Sequence, residues 1–263
     1  MSIRQGFMVE HPGPYRPAFE VAADAGFDYL ELNMEVRFSP GSVDPEAARA
    51  AADEHDLDLV VHLPYTVDIG SPHEHAREGA VRAIESAIDT ARAFGADKGI
   101  VHARSLARPF HWEESRVVDG IYESIQRLHE YGRDRGFTVC AENLKGDFVD
   151  VADFPALFDA TDAAMCLDTG HASVSGYAGA DQAEFLREYG DRVAHVHLND
   201  TRVEEEDEHL PVGLGCVDFA PIARALVETD WSGTCTHEVL RFDDEFGYVR
   251  EGKRHFDALL DAV

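Results

Sequence analysis

The chain has 263 residues, 44% hydrophobic and 28% charged, enough for one large domain with a substantial core and close to the length of a closed α/β barrel. No Pro/Gly/Ser-rich or low-complexity stretch separates two cores, no apolar run approaches bilayer length, and the opening MSIRQGFMVEHPG lacks a basic region followed by an apolar one. A single domain over residues 1–263, soluble and cytoplasmic with no membrane partner, is therefore expected. The 51 acidic against 23 basic residues give a formal charge of -28, a field that repels polyanions at low salt and speaks of solubility more than fold. Adaptation to a very salty, halophilic cytoplasm is the simplest source of such a surface.

In chain order, one pattern repeats: an amphipathic helical stretch, a glycine, then a short apolar run ending in a polar residue. AADAGFDYLEL, ARAFGADKGIVHA, GRDRGFTVCAEN and REYGDRVAHVHLN show it, with Gly26, Gly95, Gly136 and Gly190 placed to end helices in the left-handed conformation. Strands are predicted near Ile3–Val9, Tyr29–Asn33, Leu57–Leu63, Gly99–His102, Thr138–Asn143, Ala164–Asp168, Val193–Leu198 and Thr234–Glu238. Helical patterns separate them, among them Pro45–His55 with Asp44 as its cap and a long one over His73–Phe94. Eight β-then-α units call for a parallel sheet closed on itself, a (β/α)8 TIM barrel; an open doubly wound sheet is the alternative, but GxGxxG is absent after the first strand. Cys140, Cys166 and Cys235 fall in strand-like runs, Cys216 does not, and with no CxxC pair no disulfide is expected.

Parallel strands put their C-terminal ends on one rim, where groups from different strands converge. Strand two ends with Glu31, three with His62, four with His102, five with Glu142, six with Asp168, seven with His197 and eight with Glu238. Any one of these reads as a hydrogen-bonded polar residue closing a strand. Seven together, four carboxylates and three histidines without counter-charge, call for a divalent cation, and mixed imidazole and carboxylate ligands suit zinc or manganese. His171, three residues after Asp168, and the pair Asp207 and His209 in EEEDEHLPVGLG can reach the same rim. His11, His55, His73, His75, His111, His129 and His255 fall in helix or loop contexts that suit solvent; His195 lies one layer deeper than His197, and His237 must point away from Glu238.

HLPYTVDIGSP (62–72), AENL (141–144), LDTGHA (167–172), HLND (197–200), DEHLPVGLG (207–215) and THEV (236–239) resemble, in order, the xylose isomerase-like TIM-barrel superfamily, which holds sugar isomerases and epimerases together with endonuclease IV. The resemblance implies up to three zinc ions: Glu142 bridging two, His62 and His102 serving one, Asp168, His197 and Glu238 another, and His171, Asp207 and His209 the third. It leaves Glu204, Glu205 and Glu206 as solvated surface; Arg37 and Tyr65 resemble DNA-contacting positions of the nuclease and Glu31 the sugar branch, and these with Arg202 are the expected substrate contacts. The first strand, IRQGFMVEH, departs from the GAHVS-like opening of endonuclease IV, while GFDYLELNME looks more like the sugar branch.

Charge counting separates two chemistries. One ion among Glu142, Asp168, His197 and Glu238 leaves a net negative site suited to a neutral polyol, with Glu142 and Glu238 moving protons between neighbouring carbons. Three ions leave excess positive charge that attracts a phosphate for hydrolysis. With no clear basic stripe to follow DNA, the leading expectation is an isomerase or epimerase acting on a sugar or sugar phosphate; an abasic-site endonuclease acting on DNA is the alternative. A purely structural metal fits poorly with a carboxylate-rich rim.

Overall fold

The computed structural model describes residues 2–10, 15–146, 148–203, 206–240 and 243–263; His11, Glu204 and Glu205 lie outside them. Eight strands, β1 (Ser2–Val9), β2 (Tyr29–Asn33), β3 (Asp58–His62), β4 (Lys98–His102), β5 (Thr138–Glu142), β6 (Ala164–Asp168), β7 (Val193–Leu198) and β8 (Ser232–His237), pair in parallel in sequence order and close into a barrel. Around it run α1 (Arg16–Ala25), α2 (Pro45–Glu54), α3 (Glu74–Phe94), α4 (Glu114–Arg133), α5 (Phe154–Ala160), α6 (Thr169–Val174), α7 (Gly179–Tyr189), α8 (Phe219–Glu228) and α9 (Glu245–Asp261). Every predicted strand lies within two residues of its observed position at either end. Among the described residues no helix is long and apolar enough to cross a membrane.

Local chemistry explains the helix ends. Asp44 accepts from the Glu46 N–H at the start of α2, with Pro45 in the first turn, where its missing N–H costs nothing. Gly26, Gly95 and Gly136 take φ of 71°, 93° and 63°. Gly190 departs from expectation: its φ is -60°, and what it supplies is room, since a Cβ there would sit 2.4 Å from the Leu186 carbonyl oxygen.

The alternation of β-strand side chains divides the interior in two. Outward residues such as Leu30, Val61, Val101, Val139, Leu167 and Val196 pack under the helices in the large apolar core. Inward, Tyr29, Val60, Ile100, Cys140 and Cys166 plug the barrel. Two residues further along the last four of these strands stand His62, His102, Glu142 and Asp168. An apolar plug thus carries a polar layer. His237, of the outward parity, meets Gln5, Phe27 and Phe256 instead, and His55, His73, His75, His111, His129 and His255 are half-buried or exposed.

Candidate metal centre

Strand register sets the polar layer: His102 pairs with Glu142, and Asp168 with His197. Both Nε2 atoms of His62 and His102 face Glu142 Oε2, at 3.4 and 3.2 Å. His197 Nδ1 lies 3.1 Å from Glu142 Oε1, 3.2 Å from Glu238 Oε2 and 3.7 Å from Asp168 Oδ2. His171, on α6, lies between two carboxylates, its Nδ1 3.4 Å from Asp168 and its Nε2 3.1 Å from Asp207; His209 Nε2 reaches Asp207 at 3.3 Å and Glu238 at 3.7 Å. The nine residues fall into three groups, His62–His102–Glu142, Glu142–Asp168–His197–Glu238 and His171–Asp207–His209, with ligand atoms in each group within 4.8 Å of one another. A further group, Cys166–His195–His197, sits beneath them.

Whether these residues fit a metal is tested by their unpaired atoms. Glu142 Oε2, His171 Nδ1, Asp207 Oδ2 and Glu238 Oε2, all turned to the cluster, are buried without a hydrogen-bond partner. Each such atom costs about 1–3 kcal/mol when left so. Several of them lie close to an opposing ring nitrogen or oxygen without hydrogen-bond geometry, the arrangement of donors aimed at a shared point. A divalent cation satisfies oxygen and imidazole nitrogen alike.

Charge within the cluster is strongly redistributed. Burial pushes the Glu142 carboxyl up, but His197 and His102 hold it well below the usual range; burial likewise opposes Glu238, which His197 and His209 bring down to about 2. Burial would lower His171, yet Asp168, Glu142 and Asp207 raise it to about 10. For Asp207, burial and neighbouring Asp168 outweigh His209 and His171, and it rises to about 6. Of the imidazoles here, His62, His171 and His197 are raised and supply positive charge to the carboxylates, whereas burial lowers His102.

Side chains beyond the nine hold the layer in place. Asp168 caps α6 by accepting from the His171 N–H at 2.6 Å, and Asn199 donates to its other oxygen at 2.7 Å. Asn143 exchanges two hydrogen bonds with the Asp168 backbone. Gly170 is required by closeness: a Cβ would lie 1.7 Å from Asn199 Oδ1. Asp200, fully buried, accepts from the backbone N–H groups of Thr201, Gly213, Gly215 and Val217, and so clamps the loop carrying Asp207 and His209. Sequence reasoning passed over Asn143, Asn199 and Asp200; their signal was the polar run continuing past the strand ends.

The four expected substrate contacts separate. Glu31 is not at the rim: it pairs in register with Val60, one layer below His62, and has no exposed surface. One oxygen faces His197 Nε2 at 3.2 Å and the other faces His195 Nε2 at 3.1 Å and accepts from Thr236 at 2.6 Å, so both oxygens are engaged within the barrel. His195, buried as expected, completes this lower network through Nδ1 to Thr234 at 2.6 Å. Tyr65 does stand at the mouth, its ring 5.5 Å from that of His62 and 5.4 Å from that of His102. Arg37 lies over the Tyr15 ring, and Arg202 pairs with Glu208; neither belongs to the nine-residue cluster. Glu206 is exposed.

Comparison with known proteins places this geometry. The sequence profile of a family described as xylose isomerase-like TIM barrel matches residues 19–259. A probable endonuclease 4 of Symbiobacterium thermophilum is 24% identical, over 95% of this chain and 96% of its own. An inosose dehydratase of Geobacillus kaustophilus is 28% identical over 57% of this chain, a match that spans only 53% of that enzyme. Among solved structures, a D-tagatose 3-epimerase-like protein superposes with a TM-score of 0.83 at 21% identity, covering 98% of both chains, a likeness of fold.

Proposed function

The chain belongs to the xylose isomerase-like TIM-barrel family, and from that premise we propose that it is a divalent-metal enzyme that isomerises or epimerises a sugar or sugar phosphate. One observation carries the reading: Glu142 and Glu238, from strands three places apart in the ring, bring carboxylate oxygens to 3.1 and 3.2 Å of the same buried His197 nitrogen. Two carboxylates facing a common space are what proton exchange between neighbouring carbons needs. Glu142, Asp168, His197 and Glu238 would hold one ion, zinc or manganese, whose chemistry is to bind adjacent sugar oxygens and polarise a carbonyl. Held as anions by the histidines around them, Glu142 and Glu238 are both in the form that accepts a proton, and whichever takes it from carbon becomes the acid that returns it to the neighbouring carbon. Tyr65 stands over His62 and His102, where it would flank a bound substrate. Arg37, over the Tyr15 ring, and Arg202, paired with Glu208, would meet an extended substrate.

A second reading has its own observation. The two additional groups, His62–His102–Glu142 and His171–Asp207–His209, would raise the count to three ions, and six positive charges against four carboxylates favour a phosphodiester, as in endonuclease IV-type cleavage of DNA at abasic sites. The two readings part on measurement. Metal per chain is determined, and the same preparation is assayed at high salt on a panel of ketoses, on their phosphates and on a duplex with an abasic site. Epimerisation without strand incision is expected; incision with three metals per chain would overturn the sugar reading.

A further inference from the structure

Beside the metal centre lies a cavity of about 460 Å³, within the range of small-molecule sites. His102 and His171, one from each outer triad, form one wall, and Arg104 and Lys145 line it too. The barrel explains the pairing: Arg104 follows β4 by two residues and Lys145 follows β5 by three, and the ends of these strands are register partners at His102 and Glu142. Resting on the reading of a sugar-type substrate, we infer that this cavity seats a phosphate group, held by Arg104 and Lys145 while the rest of the molecule reaches the metal ligands.

Three observations support the assignment. First, only three of the chain's 23 basic residues are lysines, and acids number 51, so two long cationic side chains in one cavity run against the composition. Second, Arg104 is half-buried and its side chain has no hydrogen bond or ion pair among the described residues, whereas most arginines near it in sequence are engaged: Arg77 with Glu123, Arg116 over Trp112 and Arg127 with Glu85. A guanidinium withheld from abundant carboxylates is available to a planar or tetrahedral oxyanion, which it can take with two parallel hydrogen bonds. Third, Ser105 lines the same cavity; its Oγ accepts from the Ala107 N–H, which leaves the hydroxyl hydrogen to donate. A neutral polyol has no use for such a wall. A phosphate ester does, and its source is either a sugar phosphate or a nucleic-acid backbone.

The test uses the metal-loaded protein and binding rather than turnover. D-fructose 6-phosphate, D-fructose and an abasic-site duplex are titrated calorimetrically into wild type and into the double variant Arg104→Gln, Lys145→Gln, with metal content and unfolding midpoint checked to be those of wild type. Wild type is expected to prefer the phosphate ester over the parent sugar by about tenfold or more, a difference of about 1.4 kcal/mol, and the double variant is expected to lose most of that preference. If duplex affinity is what falls, the seat stands and its phosphate is that of a nucleic acid. If the variant keeps wild-type affinity for both the phosphate ester and the duplex, the seat is overturned. Absence of epimerisation alongside a lost preference would sink the proposed reaction and leave the seat standing.

Discussion

Glu31 shows what a single residue contributes beneath the candidate metal-binding layer. A ligating imidazole needs one nitrogen free of its proton and the other held, and the group holding it fixes tautomer and ring orientation. His197 turns Nδ1 to three carboxylates, and Glu31 holds its Nε2 at 3.2 Å. Burial opposes the Glu31 charge, but His197 and His195 hold the carboxyl well below its usual range, so the anion persists. Glu31→Gln keeps the shape and removes the charge; it is expected to weaken metal retention at the four-residue centre by about 10- to 100-fold. Metal per chain after competition with a graded chelator reads this directly, and retention equal to wild type would show that Glu31 only fills space. The sequence placed Glu31 at a strand end but could not reveal its depth. That depends on the stagger between β2 and β3, which sets Asn33 and not Glu31 beside His62.

At the level of elements, the loop after β7 is the test of how many ions the rim takes. It carries Asp207 and His209, and its shape is imposed from below: Asp200 gathers four backbone N–H groups, Asp200 and Leu210 form an isolated bridge, and His209 sits at φ 51°, which L side chains rarely adopt. Because the clamp is Asp200 and not the ligand side chains, Asp207→Ala with His209→Ala should leave the barrel folded and lower the metal content by one ion per chain. Elemental analysis together with the unfolding midpoint checks both halves; unchanged metal content would remove the third site. The elements themselves were largely legible because period and punctuation agree, as with Asp44 and Pro45 opening α2 and Gly95 closing α3. Gly190 was misread because a glycine needed for close approach looks in sequence like one needed for a left-handed turn. Six of the nine were legible because a parallel barrel turns strand ends into neighbours, while His171, Asp207 and His209 came from local spacing and the family resemblance. Arg104 and Lys145 were not, since neither lies at a strand end and only the pairing of β4 with β5 brings their loops together.

For the whole molecule the decisive quantity is charge. With 51 acids and 23 bases, an excess of 28, even complete pairing of every base leaves most acids unpaired, so net repulsion opposes the compact state. Salt acts on both sides of this balance. It weakens surface pairs such as Arg187–Glu228 and Arg4–Asp58, each worth about 0–1 kcal/mol, and it screens repulsion among all the uncompensated carboxylates. Going from about 0.1 to 1 M shortens the screening length from about 10 to about 3 Å, less than the spacing of most surface charges yet comparable to the contact distance within a pair. Repulsion, summed over longer distances, is screened more than attraction. The unfolding midpoint of the metal-loaded protein is therefore expected to rise with potassium chloride over this range, and tetramethylammonium chloride at equal ionic strength should reproduce most of the rise if screening is the cause. A midpoint that falls with salt would mean that the surface pairs dominate. The same field bears on function: at low salt it disfavours the approach of a long polyanion more than that of a small anion, and salt screens both.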